Sequence, residues 1–426
     1  MTPEVKQRIE QIQQGIVPKG YKKTKTDIVP ADWKESPIGK YIREYNEKTT
    51  IPNQYPVLTS ARTGLMLQTD YYSNRQVTTE NNVGYNVLPY GYITFRSRSD
   101  DGRFRFNENR IIERGIISYF YPVFSFSEEV CNEYMLYLLN FSIYRRMYPY
   151  AEGTAQQVLS LKKLGQLKYS LPLVAEQKKI AEILSTQDKA IELQGRKIEE
   201  LKRFKKGCLE RMFPRKGQKV PEKRFPGFTD DWEQRKLSEI ADKVTEKNAG
   251  LQYVETFTNS AEFGIISQRD FFDHDIAKLG SLDGYYIVKN EDFVYNPRIS
   301  TSAPVGPINR NKLGRTGVMS PLYTVFRPHD IDTTYLEYFF KCGYWHSFMN
   351  FNGDSGARSD RFSIKDNVFF QMPIPIPHID EQRKIGELLT RLDHLITLHQ
   401  RKLEEMKRRK KALMQLLLMG IVRVKA

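Results

Sequence analysis

Two stretches of this 426-residue chain are copies of one another. Residues 175–208 read AEQKKIAEILSTQDKAIELQGRKIEELKRFKKGC, and residues 380–413 read DEQRKIGELLTRLDHLITLHQRKLEEMKRRKKAL. They align without a gap at an offset of 205 residues, so that Glu176, for example, recurs as Glu381. So long a match indicates an internal repeat, and a repeat has to be identified before a fold is assigned.

Both copies carry the apolar spacing of a coiled coil, in which steps of three and four residues alternate. Polar residues interrupt this seam at equivalent places, such as Lys205 and Lys410, and can fix register and pairing at some cost in stability. We therefore predict two long helices, at 172–214 and 378–420, that pair in antiparallel fashion. The residues assigned to helix pairing and to partner docking are Ile180, Leu184, Ile191, Ile198 and Leu201 in the first copy and Ile385, Leu389, Ile396, Leu403 and Met406 in the second.

The likeness continues upstream of each helix, at offsets that drift as loops change length. Short alternating stretches punctuated by Gly and Pro predict strands, and 131–146 and 335–348 predict helices. The pattern is circular, because the first residues resemble the tail of a repeat that begins near the end of the chain. Matching segments are 32–33 with 231–232, 85–98 with 285–298, 115–121 with 317–323, and 15–17 with 420–422.

These observations predict an α+β fold with two similar domains, separated by two long antiparallel coiled-coil helices and related by an internal pseudo-twofold. A helix from Glu176 to Phe213 would span about 57 Å and would hold the domains at a fixed spacing. The predicted boundaries are 1–19 for the segment that completes the circular repeat, 20–155 for the first domain, 172–214 for the first helical region, 215–231 for a linker, 232–360 for the second domain and 378–420 for the second helical region.

The composition favours a polyanionic partner. Lys and Arg total 66 against 51 Asp and Glu, a formal net charge of +15, which makes nucleic acid the first candidate. The three cysteines form no CxxC pair and the six histidines no HxxxH pair, so neither a disulfide framework nor a zinc site is expected. The polar amino terminus and the short apolar runs predict a cytoplasmic protein without a membrane span.

Several motifs together closely resemble the specificity subunit of type I restriction-modification systems. They are the two Glu-Gln helices, the FPGFTDDWE junction at 225–233 and the DFVYNPR run at 292–298. The resemblance covers essentially the whole chain. It implies two target recognition domains, each reading one half of a bipartite, asymmetric DNA site, and two helical regions that dock two methyltransferase subunits and set the spacer between the half-sites.

The resemblance also implies that this chain is not an enzyme. Two methyltransferase and two restriction subunits would bind S-adenosylmethionine, ATP and Mg²⁺, and no cofactor is expected here. The residues agree, since the run Asn296-Pro297-Arg298-Ile299 lacks the second Pro and the aromatic residue of an adenine methyltransferase loop. We interpret this run as structural or DNA-facing.

Candidate base-reading residues lie in polar segments rich in Arg, Asn, Gln and Ser, because Arg reads guanine and Asn or Gln reads adenine in the major groove. Aromatic residues interleave with them in the segment FRSRSDDGRFRFN. The candidates are Arg96, Arg98, Arg103, Arg105, Asn107, Gln156 and Gln157 in the first domain and Arg298, Ser300, Arg310, Arg315, Arg358, Ser359 and Arg361 in the second.

Three alternatives stay open at this point. The basic runs that close both helices, 202–216 and 407–411, would serve either as phosphate contacts or as solvated cations that favour a helix end. The chain could be a fused DNA-modifying or DNA-cleaving enzyme, which the missing catalytic loops disfavour. It could also be a coiled-coil scaffold that never touches DNA.

Overall fold

The computed structural model describes residues 2–72, 81–147, 157–272, 279–354 and 360–424. The chain forms two compact units, the first from residues 1–194 with 402–426 and the second from residues 195–401. The described helices are α1 (Pro3–Gln13), α2 (Gln68–Tyr71), α3 (Asn132–Met147), α4 (Leu161–Gln166), α5 (Val174–Arg211), α6 (Gln268–Phe272), α7 (Thr333–Cys342), α8 (His346–Asn352), α9 (Asp366–Phe369) and α10 (Ile379–Leu418).

The first unit is built on short antiparallel strands. Its largest described sheet has four strands in the order β10-β8-β12-β4 and packs against α3. The strands of this unit are β1 (Tyr21–Lys23), β2 (Ile28–Pro30), β3 (Lys34–Pro37), β4 (Ile42–Tyr45), β5 (Leu58–Ala61), β6 (Gly64–Leu67), β7 (Asn86–Pro89), β8 (Ile93–Phe95), β9 (Arg98–Ser99), β10 (Phe106–Glu108), β11 (Arg114–Ile117), β12 (Val123–Phe126), β13 (Gln157–Val158) and β14 (Lys168–Leu171).

The second unit repeats this plan. Its four-stranded sheet has the order β21-β20-β23-β16, which is the order of the first unit with each strand replaced by its repeat equivalent. The predicted α+β class with two similar domains is therefore confirmed. The strands are β15 (Glu233–Lys236), β16 (Ala241–Lys243), β17 (Phe257–Ser260), β18 (Gly264–Ser267), β19 (Tyr286–Val288), β20 (Phe293–Tyr295), β21 (Ile308–Arg310), β22 (Gly317–Met319), β23 (Thr324–Pro328) and β24 (Pro373–Ile376).

The helix predicted at 335–348 is in fact two helices. Gly343 ends α7 in the left-handed conformation, with φ of 77°, and α8 begins at His346. A left-handed residue cannot continue an α-helix, and glycine adopts that conformation at little cost. Apolar periodicity continues through the break, which is why the sequence pattern concealed it.

The two long predicted helices are α5 and α10, of 38 and 40 residues. In each unit the start of one helix shares a core with the end of the other, so the pairing is antiparallel, and Ile198 and Ile396 are buried along it. Ile191, Leu403 and Met406 are half-buried. The shared cores contain Ile180 and Leu184 with Leu417 and Leu418 in the first unit, and Ile385 and Leu389 with Leu201 and Cys208 in the second.

The repeated glutamate at the start of each long helix holds an arginine. In the first unit, Arg423 donates to both carboxylate oxygens of Glu176 at 2.7 and 2.8 Å. In the second, Arg224 donates to both oxygens of Glu381 at 2.9 and 2.7 Å, and Trp232 Nε1 adds a third bond at 3.1 Å. Both glutamates are buried, and a buried carboxylate is stable only with such partners.

The adjacent glutamine joins each long helix to the domain that precedes it. Gln177 donates from Nε2 to the Pro172 carbonyl and accepts from the Cys131 amide, both at 2.9 Å. Gln382 makes the same two bonds, to the Pro377 carbonyl and from the Asp332 amide, again at 2.9 Å. The Glu-Gln pair in each copy therefore fixes where its helix begins.

Each unit also contains a contact between three elements that we call the Tyr-Asp-Lys lock. In the second unit, Asp393 of α10 accepts from Tyr338 of α7 at 2.8 Å and from Lys205 of α5 at 2.5 Å. In the first unit, Asp188 of α5 accepts from Tyr137 of α3 at 2.7 Å and from Lys410 of α10. The polar seam residues Lys205 and Lys410 thus each bond an aspartate of the facing long helix.

The matching segments 15–17 and 420–422 each follow the carboxyl end of a helix. Gly15 follows α1 and Gly420 follows α10, both left-handed with φ of 75° and 67°. Each glycine amide bonds back into its helix, to Ile12 at 3.0 Å and to Leu417 at 3.1 Å. Arg8 of α1 donates to the Ile421 carbonyl at 2.6 Å, which places the amino-terminal helix beside the carboxyl-terminal tail.

Candidate nucleic-acid interface

Asn107 lies in the interior of the first unit. Its Nδ2 donates to Ser60 Oγ at 2.8 Å and to the Ala61 carbonyl at 3.0 Å. Strand register makes Asn309 its equivalent, and that Nδ2 donates to Asn259 Oδ1 at 2.7 Å and to the Ser260 carbonyl at 3.1 Å. These bonds use the amide donors that adenine recognition would need. The prediction that Asn107 reads a base is therefore wrong.

Arg310 is also committed to the fold. Its guanidinium, 10% exposed, pairs with Glu337 at 2.7 Å and with Glu291 at 2.9 Å. Burial alone would raise the pKa of Glu337, but the ammonium groups of Lys341 and Lys312 lower it to about 2. The prediction that Arg310 reads a base is therefore wrong, because a contact with DNA would remove the arginine from the buried Glu337 and leave that carboxylate without one of its counter-ions.

Arg315 is exposed, yet its guanidinium is already occupied. Nε and Nη2 donate to the two carboxylate oxygens of Glu255 at 2.8 and 2.7 Å. The hydrogen bond from Arg315 lowers the pKa of Glu255, which keeps the pair ionised. Arg315 would read a base only by giving up this ion pair.

Arg96 and Arg98 are both exposed in the first unit, on the chain that leaves β8. Arg98 pairs with Val158 across the β9-β13 ladder, and Gln157 pairs with Ser99 beside it. The Arg98 guanidinium lies 4.6 Å from the centre of the Phe120 ring. We call Arg96, Arg98, Tyr119 and Phe120 the Arg98 surface.

Asp101 holds the segment that follows Arg98 in place through three hydrogen bonds. Its Oδ1 accepts from Arg62 at 2.7 Å, from Ser99 at 2.9 Å and from the Arg103 amide at 3.1 Å. Desolvation acts to raise the pKa of Asp101, but these hydrogen bonds lower it overall. Arg103 and Arg105 are exposed on this segment, and both stay predictions as DNA contacts.

In the second unit, the structure brings Arg298 and Arg361 together. Their backbones form an isolated antiparallel bridge, at the place where Arg98 pairs with Val158 in the first unit. Arg298 is exposed and Arg361 is half-buried. Ser300 is exposed in an adjacent turn, where its hydroxyl lies 3.2 Å from that of Ser302. Gln156, Arg358 and Ser359 lie outside the described residues.

The Asn296-Pro297 run has a structural role. Asn296 Oδ1 accepts from the Arg298 amide at 2.9 Å, and its Nδ2 donates to the Asn259 carbonyl at 2.8 Å. Among the described residues, no group of three or more His, Cys, Asp or Glu is placed to hold a metal ion. Nor does any helix in the described ranges have the length and apolar character needed to cross a membrane.

The aromatic residues that matter for the surface are not the ones that interleave with the arginines in sequence. Phe104 and Phe106 are buried and pack on Phe95 in the core. Tyr119 and Phe120 are instead exposed, at 56% and 43%, in the turn between β11 and β12. In the sequence, only the aromatic run at 119–121 marks these rings, and the repeat match over 115–121 does not show that they lie in a turn.

Comparison with known families finds a match in both halves of the chain. Residues 22–203 and 229–408 each match the type I restriction modification DNA specificity domain. A curated relative, the type I restriction enzyme MjaVIII specificity subunit of Methanocaldococcus jannaschii, is 27% identical over 288 residues. That alignment covers 64% of this chain and 66% of the relative, just under two thirds of its length.

Solved structures share the fold. A chain from a structure described as the basis of complex assembly and conformational transition of the type I R-M system has a TM-score of 0.52 at 15% identity, covering 92% of this chain and 99% of that chain. The type I restriction-modification system S subunit from M. genitalium has a TM-score of 0.51 at 13% identity, covering 94% and 99%. These matches establish the architecture across both units.

Proposed function

Because the chain belongs to the type I restriction modification DNA specificity family, we propose that it is the DNA-recognition subunit of such a system. Each unit reads one half of a bipartite, asymmetric DNA site. The chain itself is not catalytic. Adenine methylation with S-adenosylmethionine, and cleavage with ATP and Mg²⁺, belong to partner methyltransferase and restriction subunits.

The observation that carries this proposal is an exposed arginine at the same place in both units. Arg98 and Arg298 each lie three residues beyond an equivalent central strand, and each is bridged to the segment that follows the domain helices. A guanidinium presented from a fixed strand pair suits bidentate reading of guanine in the major groove.

The surroundings of the two arginines support two different half-sites. Part of the inner framework recurs in both units, as the equivalent bonds of Asn107 and Asn309 show. The outer positions differ, with exposed Arg96 in one unit where the other has half-buried Asn296, and exposed Phe120 where the other has exposed Leu322. A shared framework with divergent surface residues is what an asymmetric site requires.

Selection of DNA from a randomised duplex library tests the recognition role. The chain would be assembled with its methyltransferase partner, and bound duplexes would be sequenced after washes at rising salt. We expect enrichment of one two-part motif, with affinity that falls steeply with salt because phosphate contacts release counter-ions. A complex that assembles but enriches no motif would support the scaffold alternative, and methylation or cleavage by the chain alone would support a fused enzyme.

Two exposed leucines support docking of two methyltransferase subunits. Leu193 on α5 is 63% exposed and Leu398 on α10 is 53% exposed, and the two are repeat equivalents. Isolated apolar residues on a surface are ordinary, but recurrence in both copies on otherwise charged helices favours a contact made twice. The resulting assembly would contain one specificity chain and two methyltransferase subunits.

Light scattering of the assembled complex tests this docking. We expect Leu193→Glu or Leu398→Glu alone to leave one methyltransferase subunit bound, and the double variant to bind none, because each burial of leucine is replaced by burial of a charge. Lys206→Glu, an exposed position on α5 that also gains a negative charge, serves as the control and should bind two. Full binding by the double variant would exclude this docking face.

A further inference from the structure

The turn at residues 118–121 exposes two neighbouring aromatic rings. Tyr119 and Phe120 have ring centres 4.1 Å apart, and Phe120 is in turn covered by the Arg98 guanidinium. Exposed rings in contact with each other and with a cation form a small apolar platform with a positive edge. Such a platform costs solvation unless a partner covers it.

The platform is held rigidly by hydrogen bonds to the carbonyls of the turn. Ser97 Oγ donates to the Phe120 carbonyl at 2.6 Å, and the buried Asn86 donates from Nδ2 to the Tyr121 carbonyl at 2.6 Å. The Tyr121 amide closes the turn on the Ser118 carbonyl at 2.9 Å. Because the turn is already ordered, little conformational entropy would be lost when a partner binds it.

The charge beside the rings favours a polyanion. Arg98 lies over Phe120, and Arg96 is close enough to Tyr121 to oppose the rise that burial causes in the pKa of that phenol. Both arginines are exposed. An aromatic ring beside guanidinium groups suits a nucleic acid, because bases stack on aromatic side chains and arginine contacts both phosphates and base edges.

The two units differ at this turn. Tyr119-Phe120 in the first unit corresponds to Pro321-Leu322 in the second, where Leu322 is 61% exposed. Both turns therefore present an apolar tip, but only the tip of the first unit combines two described aromatic rings with an arginine over one of them. Apolar tips of either kind are used to part base steps in duplex DNA.

We propose that the turn at 118–121 is a stacking wedge, with Phe120 entering the DNA at a base step beside the half-site that the first unit reads. This inference rests on the proposed function. Phe120 unstacks the step, Arg96 holds a flanking phosphate while Arg98 reads the adjacent half-site, and the deformability of the step adds to specificity without a hydrogen bond from Phe120 to a base.

The test uses 2-aminopurine, whose fluorescence rises when its stacking is lost. Duplexes carrying the motif found by library selection would have the probe at one position each, in and beside both half-sites. The adenine that is methylated is left out, because it is flipped by the methyltransferase. We expect the assembled wild-type complex to give a rise beside one half-site, and Phe120→Ala to lose this rise and bind about tenfold more weakly.

Two matched variants make the outcome specific. Leu322→Ala removes the equivalent tip of the second unit and should keep the rise that depends on Phe120. Phe120→Leu, which copies the second unit, keeps an apolar tip and should restore part of the affinity but less of the fluorescence. All variants should unfold at the wild-type temperature, since the altered side chains are exposed.

The wedge is excluded if Phe120→Ala keeps both the fluorescence rise and the affinity. It is also excluded if that variant loses the methyltransferase instead, because the turn would then be a protein contact. A wild-type complex that selects no motif would contradict the proposed function, and the two failures are thereby distinguishable.

Discussion

Asn107 and Asn309 occupy equivalent positions and make equivalent bonds in the two units. Their side chains point inward because each sits on the edge strand of a four-stranded sheet, opposite a hairpin whose polar groups need partners. Sequence composition alone cannot separate such an asparagine from one that reads DNA. The pairing register of the strands makes that distinction.

We predict that Asn107→Ala lowers the free energy of unfolding by about 1–3 kcal/mol, since Ser60 and Ala61 lose their partner. In cells where the Asn107→Ala variant still folds, the methylated DNA motif should be the same as with the wild type. Arg98→Ala is the matched variant, with wild-type stability and an altered half-site. Denaturant unfolding and methylome sequencing of the same strains measure both effects, and a changed motif in Asn107→Ala would return that residue to the interface.

Glu337 gives the second unit a dependence on pH. Its pKa in the folded protein is about 2, against an ordinary value of 4.5. Because the folded pKa is the lower one, the carboxylate stabilises the fold above about pH 4.5, and this contribution is lost as the pH falls toward 2. The contribution is on the order of 3 kcal/mol, at 1.36 kcal/mol for each pKa unit.

Glu337→Gln should therefore be less stable than the wild type at pH 7, and the difference should shrink as the pH is lowered from about 5. Denaturant unfolding at a series of pH values measures this. If the free energies of unfolding of the two proteins differed by the same amount at every pH, the cluster of Arg310, Lys312 and Lys341 would not favour the ionised form of Glu337.

The paired helices are held by contacts that the repeat made predictable only in part. Seam positions and the polar interruptions at Lys205 and Lys410 were evident from spacing. Their partners were not, because Asp188 and Asp393 look like ordinary solvated helix residues, and Tyr137 and Tyr338 belong to other elements. Seventeen residues separate Asp188 from Lys205, and seventeen separate Asp393 from Lys410, so both locks fit one helix register.

The locks can be measured by double-mutant cycles. We expect Lys410→Met with Asp188→Asn to give a coupling energy of about 1 kcal/mol, and Lys205→Met with Asp393→Asn to give a similar one. The exposed pair Lys407 and Glu404 on α10 is the control, with about 0.3 kcal/mol expected. A lock coupling no larger than the control would mean that apolar packing alone sets the register.

The chain as a whole is a repeat whose first unit is closed by its last residues. Leu417, Leu418 and Ile421 are buried, and Arg423 bonds Glu176 and Asp32. The match of residues 15–17 with 420–422 predicted this circular plan, because it pairs a segment near the start of the chain with one near its end. Each of the two segments follows a helix, α1 or α10. The residues available to DNA were less predictable. Whether Tyr119 and Phe120 are exposed, and whether Arg310 is held in ion pairs with Glu291 and Glu337, depends on contacts between distant segments.

The measurement that tests the central claim most directly is single-molecule methylome sequencing of a host that expresses the partner methyltransferase, with and without this chain. We predict one bipartite N6-methyladenine motif that is present with the chain and absent without it. The motif gives both half-sites and the spacer at once. An active methyltransferase whose methylated motifs are the same with and without the chain would contradict the assignment of DNA recognition to this protein.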